Sequence, residues 1–148
     1  MKVSIDTELI LVNQSYKNKN DAILGCAQLF IDNGNVINEY AQDMIRRDEE
    51  CSVYIGNKIA IPHGLYDSEN KIKKSGICFI QVSDGVDFDS GRAYLLIGIA
   101  ATNNEQVEML SNIANIFVEV KNVDKILSAG TREEVKYLIE SMIEENNE

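Results

Sequence analysis

The 148 residues include no tryptophan, one proline and one histidine. Basic residues are in short supply as well: 14 Lys and Arg stand against 24 Asp and Glu, a formal net charge of −10. That balance argues against nucleic acid as a partner, because phosphate backbones are gripped by clustered Lys and Arg. The only adjacent arginine pair is Arg46-Arg47. Cysteine is scarce and odd in number. Cys26, Cys51 and Cys78 are widely spaced without a C-x-x-C, so neither a disulfide framework nor a thiolate metal site fits. Cys26 lies on a helical apolar stripe and Cys78 in a strand-like run, the usual places of buried structural thiols. Cys51 falls in a loop, with Arg47 as its one basic neighbour. No apolar run approaches the roughly 20 residues of a membrane-spanning helix. The opening "MKVSIDTELILVNQ" sets acidic residues inside its apolar stretch, unlike a signal peptide, so a cytoplasmic chain is expected. One histidine cannot build an H-x-x-H or a His/Cys cluster, and no metal is expected. Walker loop, G-x-G-x-x-G and G-x-S-x-G elbow are all missing, which leaves no nucleotide site, no cofactor and no hydrolytic triad.

What is present is an ordinary single-domain composition, 45% hydrophobic and 26% charged. From Asn20 to Asn33, residues Ile23, Cys26, Ala27, Phe30 and Ile31 follow the stripe of an amphipathic helix stopped by Gly34. A second helix is expected from Asn38 to Asp48. "KIAI" (58–61) and "GICFIQV" (76–82) read as strands, and "YLLIGIAA" (94–101) is apolar throughout, as in a strand covered on both faces. A third helix spans 103–120 with Leu110, Ile113, Ala114 and Phe117 facing in. "VDKILSAG" reads as a short helix. The last helix opens with the capping box Thr131 and Glu134 and buries Val135, Leu138, Ile139, Met142 and Ile143, before a fraying "EENNE". Turns are expected at Asp84-Gly85 and Ser90-Gly91. The acidic "RDEE" (47–50) reads as a solvated helix end. The alternation gives an α/β fold in one domain, residues 1–148, with helices on both faces of the sheet. The sheet is expected to be mixed, because the link from Ile61 to Gly76 carries no obvious crossover helix.

Three features carry chemistry. The lone proline and histidine, Pro62 and His63, sit side by side in "YIGNKIAIPHG" (54–64). With an ordinary pKa of about 6.5 the imidazole is largely neutral at cytoplasmic pH, with one nitrogen free as a nucleophile. Pro62 stiffens the approach, and Gly64 lets a phosphate-sized group or a partner's backbone come close. The plain alternative is a solvent-facing histidine in a strand-end turn. On the second helix, Arg47 shares a stripe with Tyr40 and Met44, whereas Arg46 points away with Gln42 and Asp43. Arg47 thus faces the body of the fold, where a guanidinium needs a carboxylate, a carbonyl or an oxyanion. At "AATNNEQ" (100–106) a buried strand gives way to a helix capped by Asn103 or Asn104. If Asn103 caps, Gln106 completes a capping box. Gln106 also lies on the inward stripe, at a helix start of the kind that attracts phosphates.

"GNKIAIPHG" (56–64) resembles the phosphorylation-site signature of EIIA components of the phosphoenolpyruvate-dependent sugar phosphotransferase system, fructose–mannitol class. With "GIAATNNE" (98–105) the resemblance leans to the mannitol branch, and it runs from about Ile5 to Ile143. It implies a mixed sheet flanked by helices and a phosphoryl relay. His63 would accept the phosphoryl group from phospho-HPr and pass it to a cysteine of the sugar-specific EIIB, beside a membrane permease. Arg47 matches the family's active-site arginine and would stabilise phosphoryl charge. Where mannitol-branch relatives carry a second histidine, in "NNEH", this chain has Gln106, which can donate a hydrogen bond but not titrate. Gln106 would then be a neutral positioner. A regulatory, nitrogen-type EIIA and a non-catalytic binding module on the same fold are the alternatives.

Overall fold

The computed structural model describes residues 5–146. Five strands, β1 (Ile10–Gln14), β2 (Tyr54–Gly56), β3 (Ile59–Ala60), β4 (Gly76–Asp87) and β5 (Arg92–Ala100), form one mixed sheet in the order β1-β4-β5-β3-β2. β5 shows how the sheet takes helices on both faces. Leu95, Ile97 and Ile99 point to one side, and Leu96 and Ala100 to the other, all fully buried. The first set packs with α3 (Asn103–Phe117), α4 (Val120–Ser128) and α5 (Arg132–Asn146). The second packs with α1 (Lys19–Asp32) and α2 (Tyr40–Glu50). Gly98 leaves room between them for Cys26 and Cys78: a Cβ there would stand 2.5 Å from Cys78 Sγ. Both thiols are buried and free, and Cys51 is exposed. A hydrogen bond with Cys78, then burial, pushes the Cys26 thiol well up, so it behaves as a small hydrophobe.

The sheet is mixed for the expected reason. β4 and β5 form an antiparallel hairpin and β3 runs parallel to β5, so the link from β3 to β4 needs no crossover helix. It carries instead a short 3-10 helix, Tyr66–Lys71. β1 adds to β4 in parallel; no alternation marked it, because Asn13 breaks it with φ 57°.

Several local expectations are corrected. Asp84-Gly85 is no turn but a bulge inside β4, with Gly85 at φ 74°. The helix expected over 103–120 breaks after Phe117 into α3 and α4. On α3 the buried residues are Met109, Ile113, Ile116 and Phe117, while Ala114 is exposed. Asp43, expected beside Arg46 in solvent, is buried, and so is Asp48 of "RDEE". Asp43 Oδ2 accepts from Ser68 Oγ and Lys71 Nζ, both at 2.7 Å. Asp48 accepts from Val53 N–H at 3.1 Å and pairs with Lys19 Nζ at 2.9 Å, an ion pair without an aligned hydrogen bond. Each carboxylate tolerates burial because a cation reaches it. In α5, Thr131 caps Glu134 N–H as expected, but the Glu134 carboxylate returns to Gly130 N–H. Of the expected fraying end, 144–146 are helical and 147–148 lie outside the described residues.

Candidate functional site

The site grows out of one stretch of chain. In "GNKI", Asn57 and Lys58 hold φ 52° and 70°, the signs a two-residue type I′ hairpin needs between β2 and β3. That hairpin delivers β3 to β5, with Ile59 opposite Leu95 and Ala60 opposite Leu96. His63 continues the same register, opposite Ile99. The strand is interrupted between them because Pro62 has no N–H to give to the ladder. Pro62 still accepts from Ile99 N–H, at 2.9 Å. The lone proline therefore ends the regular strand and leaves the lone histidine as its last rung.

The His63 ring is tucked in, 7% exposed, rather than facing solvent as a plain turn histidine would. Its Nδ1 lies 2.7 Å from Ile61 O. Because a carbonyl only accepts, Nδ1 carries the proton and Nε2 the lone pair. Nε2 has no hydrogen-bond partner among the described residues and is not sealed from solvent. Burial lowers the imidazole pKa; the Ile61 carbonyl opposes this and the nearby Arg47 charge adds to it. The ring is thus held neutral, with Nε2 left as its nucleophilic nitrogen.

Arg47 comes from the last turn of α2, half-buried, while Arg46 is exposed. The burial difference agrees with the helical phase, which turned Arg47 rather than Arg46 toward the fold. Its Nη1 donates to Cys51 O at 2.7 Å, so the partner is a carbonyl and the guanidinium keeps further donors. The structure thus brings Arg47 and His63 into one electrostatic neighbourhood.

Gln106 occupies the start of α3, just beyond the β5 end that flanks His63. The cap is Thr102, not Asn103 or Asn104. Glu105 is accordingly the capping partner: its carboxylate accepts from Thr102 N–H at 3.3 Å, Thr102 Oγ1 at 2.8 Å and Ser75 Oγ at 2.6 Å. The Ser75 and Thr102 bonds hold that carboxyl below its usual range. Asn103 instead reaches Tyr66 O, at 3.1 Å, tying the helix start to the segment after His63. Gln106 is relieved of capping duty. It is half-buried, and its side-chain amide makes no hydrogen bond to His63 or any other described residue.

Gly64 is a correction. Its room is already taken: a Cβ would stand 2.5 Å from Tyr40 Cε1. Tyr40, fully buried, accepts from Gly64 N–H at 2.9 Å and donates to Ile99 O at 3.0 Å. Sequence reasoning placed Tyr40 on the Arg47 stripe without seeing this contact, which joins residues 59 positions apart. No metal-holding group of three or more His, Cys, Asp or Glu occurs among the described residues. A cavity of about 690 Å³ lined by Tyr16, Lys19 and Arg92 lies at the other end of β5 and includes none of the three site residues. Seven residues of strand, roughly 23 Å, separate Arg92 from Ile99.

The chain matches the family model for "Phosphoenolpyruvate-dependent sugar phosphotransferase system, EIIA 2" over residues 4–142. It is 45% identical over 129 residues to the mannitol-specific phosphotransferase enzyme IIA component of Geobacillus stearothermophilus, covering 86% of this chain and 89% of that protein. Its fold matches the crystal structure of IIA mannitol from Escherichia coli with a TM-score of 0.86 at 29% identity, covering 92% of this chain and 99% of that one. It also matches, with a TM-score of 0.87 at 27% identity, the complex of enzyme IIA mannitol and phosphorylated enzyme IIB mannitol from Escherichia coli, covering 95% and 99%. The chain belongs to the EIIA 2 family of the phosphoenolpyruvate-dependent sugar phosphotransferase system.

Proposed function

We propose that residues 1–148 act as one EIIA domain that takes a phosphoryl group from phospho-HPr onto His63 Nε2 and hands it to a cysteine of a cognate EIIB, serving mannitol uptake. The observation that carries this is the state of one ring: Nδ1–H committed to Ile61 O, Nε2 unpartnered, Arg47 near enough to bear on its charge. In the first step the Nε2 lone pair attacks phosphorus in line. The N–P bond to the HPr imidazole breaks and its electron pair returns to that nitrogen. The His63 ring gains positive character, which Nδ1–H relays to the Ile61 carbonyl. Phosphoryl transfer asks chiefly for positioning and charge stabilisation. Arg47 supplies the formal charge. The N–H groups of Asn103 and Asn104, ahead of the first helical bond of α3 from Gln106 N–H to Thr102 O, lie outside the helix ladder and would be available to phosphoryl oxygens. Gln106 adds a neutral donor. In this step one nitrogen-bound phosphoryl is exchanged for another, so it runs near level and reverses; in the second step the EIIB cysteine thiolate attacks phosphorus, the S–P bond forms, and the electron pair of the broken N–P bond returns to His63 Nε2.

No helix among the described residues is long and apolar enough to cross a membrane, and the proposed setting is the cytoplasm beside a membrane permease. The test is a reconstituted relay with phosphoenolpyruvate, enzyme I, HPr and a mannitol EIIB. Wild-type chain takes and passes label, and His63→Ala takes none. Labelling of His63→Ala at the wild-type level would refute the assignment.

A further inference from the structure

In a regular parallel ladder the rung after Pro62 O···H–N Ile99 would run from Gly64 N–H to Ile99 O. Here a phenol stands in that rung. Gly64 N–H donates to Tyr40 Oη at 2.9 Å, and Tyr40 Oη donates to Ile99 O at 3.0 Å. The peptides on both sides of His63 are therefore anchored to the same β5 residue, one directly and one through α2. The ring of Tyr40 is fully buried and lies against Gly64 so closely that no side chain fits there. Burial keeps the phenol protonated throughout the working range, so it serves as donor and acceptor together. The same helix presents Arg47 seven residues on, two turns along the same face.

We propose that Tyr40 is a positioning residue: inserted between Gly64 and Ile99, its hydroxyl fixes the chain that carries His63, so that Nδ1 stays on Ile61 O and Nε2 faces outward beside Arg47. This rests on the relay reading. Tyr40 touches neither partner, being buried, and acts through the backbone of its neighbours.

The chain holds one histidine, so its two ring nitrogens give an unambiguous ¹⁵N signature. Tyr40→Phe removes the hydroxyl and keeps the ring. In the unphosphorylated variant, the ¹⁵N shifts move from the single tautomer of wild type toward a mixture. In labelling from phospho-HPr, the saturating rate falls about tenfold, since misplacing a reacting atom by less than 1 Å is enough for that. The half-saturating HPr concentration stays within about twofold, because a group with no exposed surface makes no contact with the donor. A folded Tyr40→Phe chain with wild-type ¹⁵N shifts and wild-type rate overturns the proposal, as does an effect confined to half-saturation. If Tyr40→Phe does not fold, 3-fluorotyrosine at position 40 keeps the shape and weakens the acceptor side; a smaller shift in the same direction supports the proposal, and none overturns it. Failure of wild type to take label would defeat the relay reading, while the ¹⁵N comparison would still decide what Tyr40 does.

Discussion

Replacing Gly64 by alanine separates two accounts of why glycine follows the histidine. The added Cβ would lie 2.5, 2.8 and 2.9 Å from Tyr40 Cε1, Cζ and Oη, against the 3.4 Å at which ordinary contact begins. The ring would have to retreat by about 0.9 Å. It cannot do so freely, because its hydroxyl holds Ile99 O and Gly64 N–H and the ring is fully buried. Overpacking of this kind costs about 1–3 kcal/mol, and straining the two hydrogen bonds adds about 1 kcal/mol. Gly64→Ala should therefore lose about 2–4 kcal/mol in urea unfolding at constant m. Gly130→Ala, where an added Cβ meets nothing within 4 Å, is the control and should stay within about 0.5 kcal/mol of wild type. If Gly64→Ala were as stable as the control yet impaired in transfer, the glycine would be there for an incoming group, and the packing argument would be wrong.

Arg47→Ala should keep the fold, since the bond it loses is an exposed one to Cys51 O, and should slow labelling of His63 about 10²-fold; a rate within threefold of wild type removes Arg47 from the chemistry. Gln106→Ala should cost less, about tenfold, because a neutral donor contributes roughly half what a charged one does. Gln106→His should be tolerated, and an unchanged Gln106→Ala rate ends its positioning role. The pH dependence has a fixed sign. The folded chain binds the His63 proton more weakly than the unfolded chain does, so His63 costs no stability above about pH 6.5. Stability then falls as pH drops from there toward the lower folded-state pKa. Urea midpoints of wild type should decline through that window more steeply than those of His63→Gln, and parallel curves would contradict the burial argument.

How far the sequence alone reaches can be traced residue by residue. The lone "PH" pair was legible because both residue types are rare here and their constraints are strong. Arg47 was separable from Arg46 because helical phase is robust over one turn. Thr102 was passed over in favour of Asn103 since all three of "TNN" are good caps, and only Ser75, brought by β4, tells which carboxylate is already engaged. Asp43 and Asp48 looked solvated because the cations that permit their burial, Lys71 and Lys19, lie 28 and 29 residues away in sequence. Tyr40 was visible only as an apolar stripe member; its phenol meets Ile99 through a contact that no local pattern encodes. Local propensity fixed the elements, and long-range hydrogen bonds decided which polar groups went inside.

The most direct measurement is the two-dimensional ¹H–¹⁵N spectrum of the single histidine after phosphorylation by phosphoenolpyruvate, enzyme I and HPr. Phosphorus on Nε2, with Nδ1 still protonated against its carbonyl, is the expected result. Phosphorus on Nδ1, on another residue, or nowhere would contradict the account.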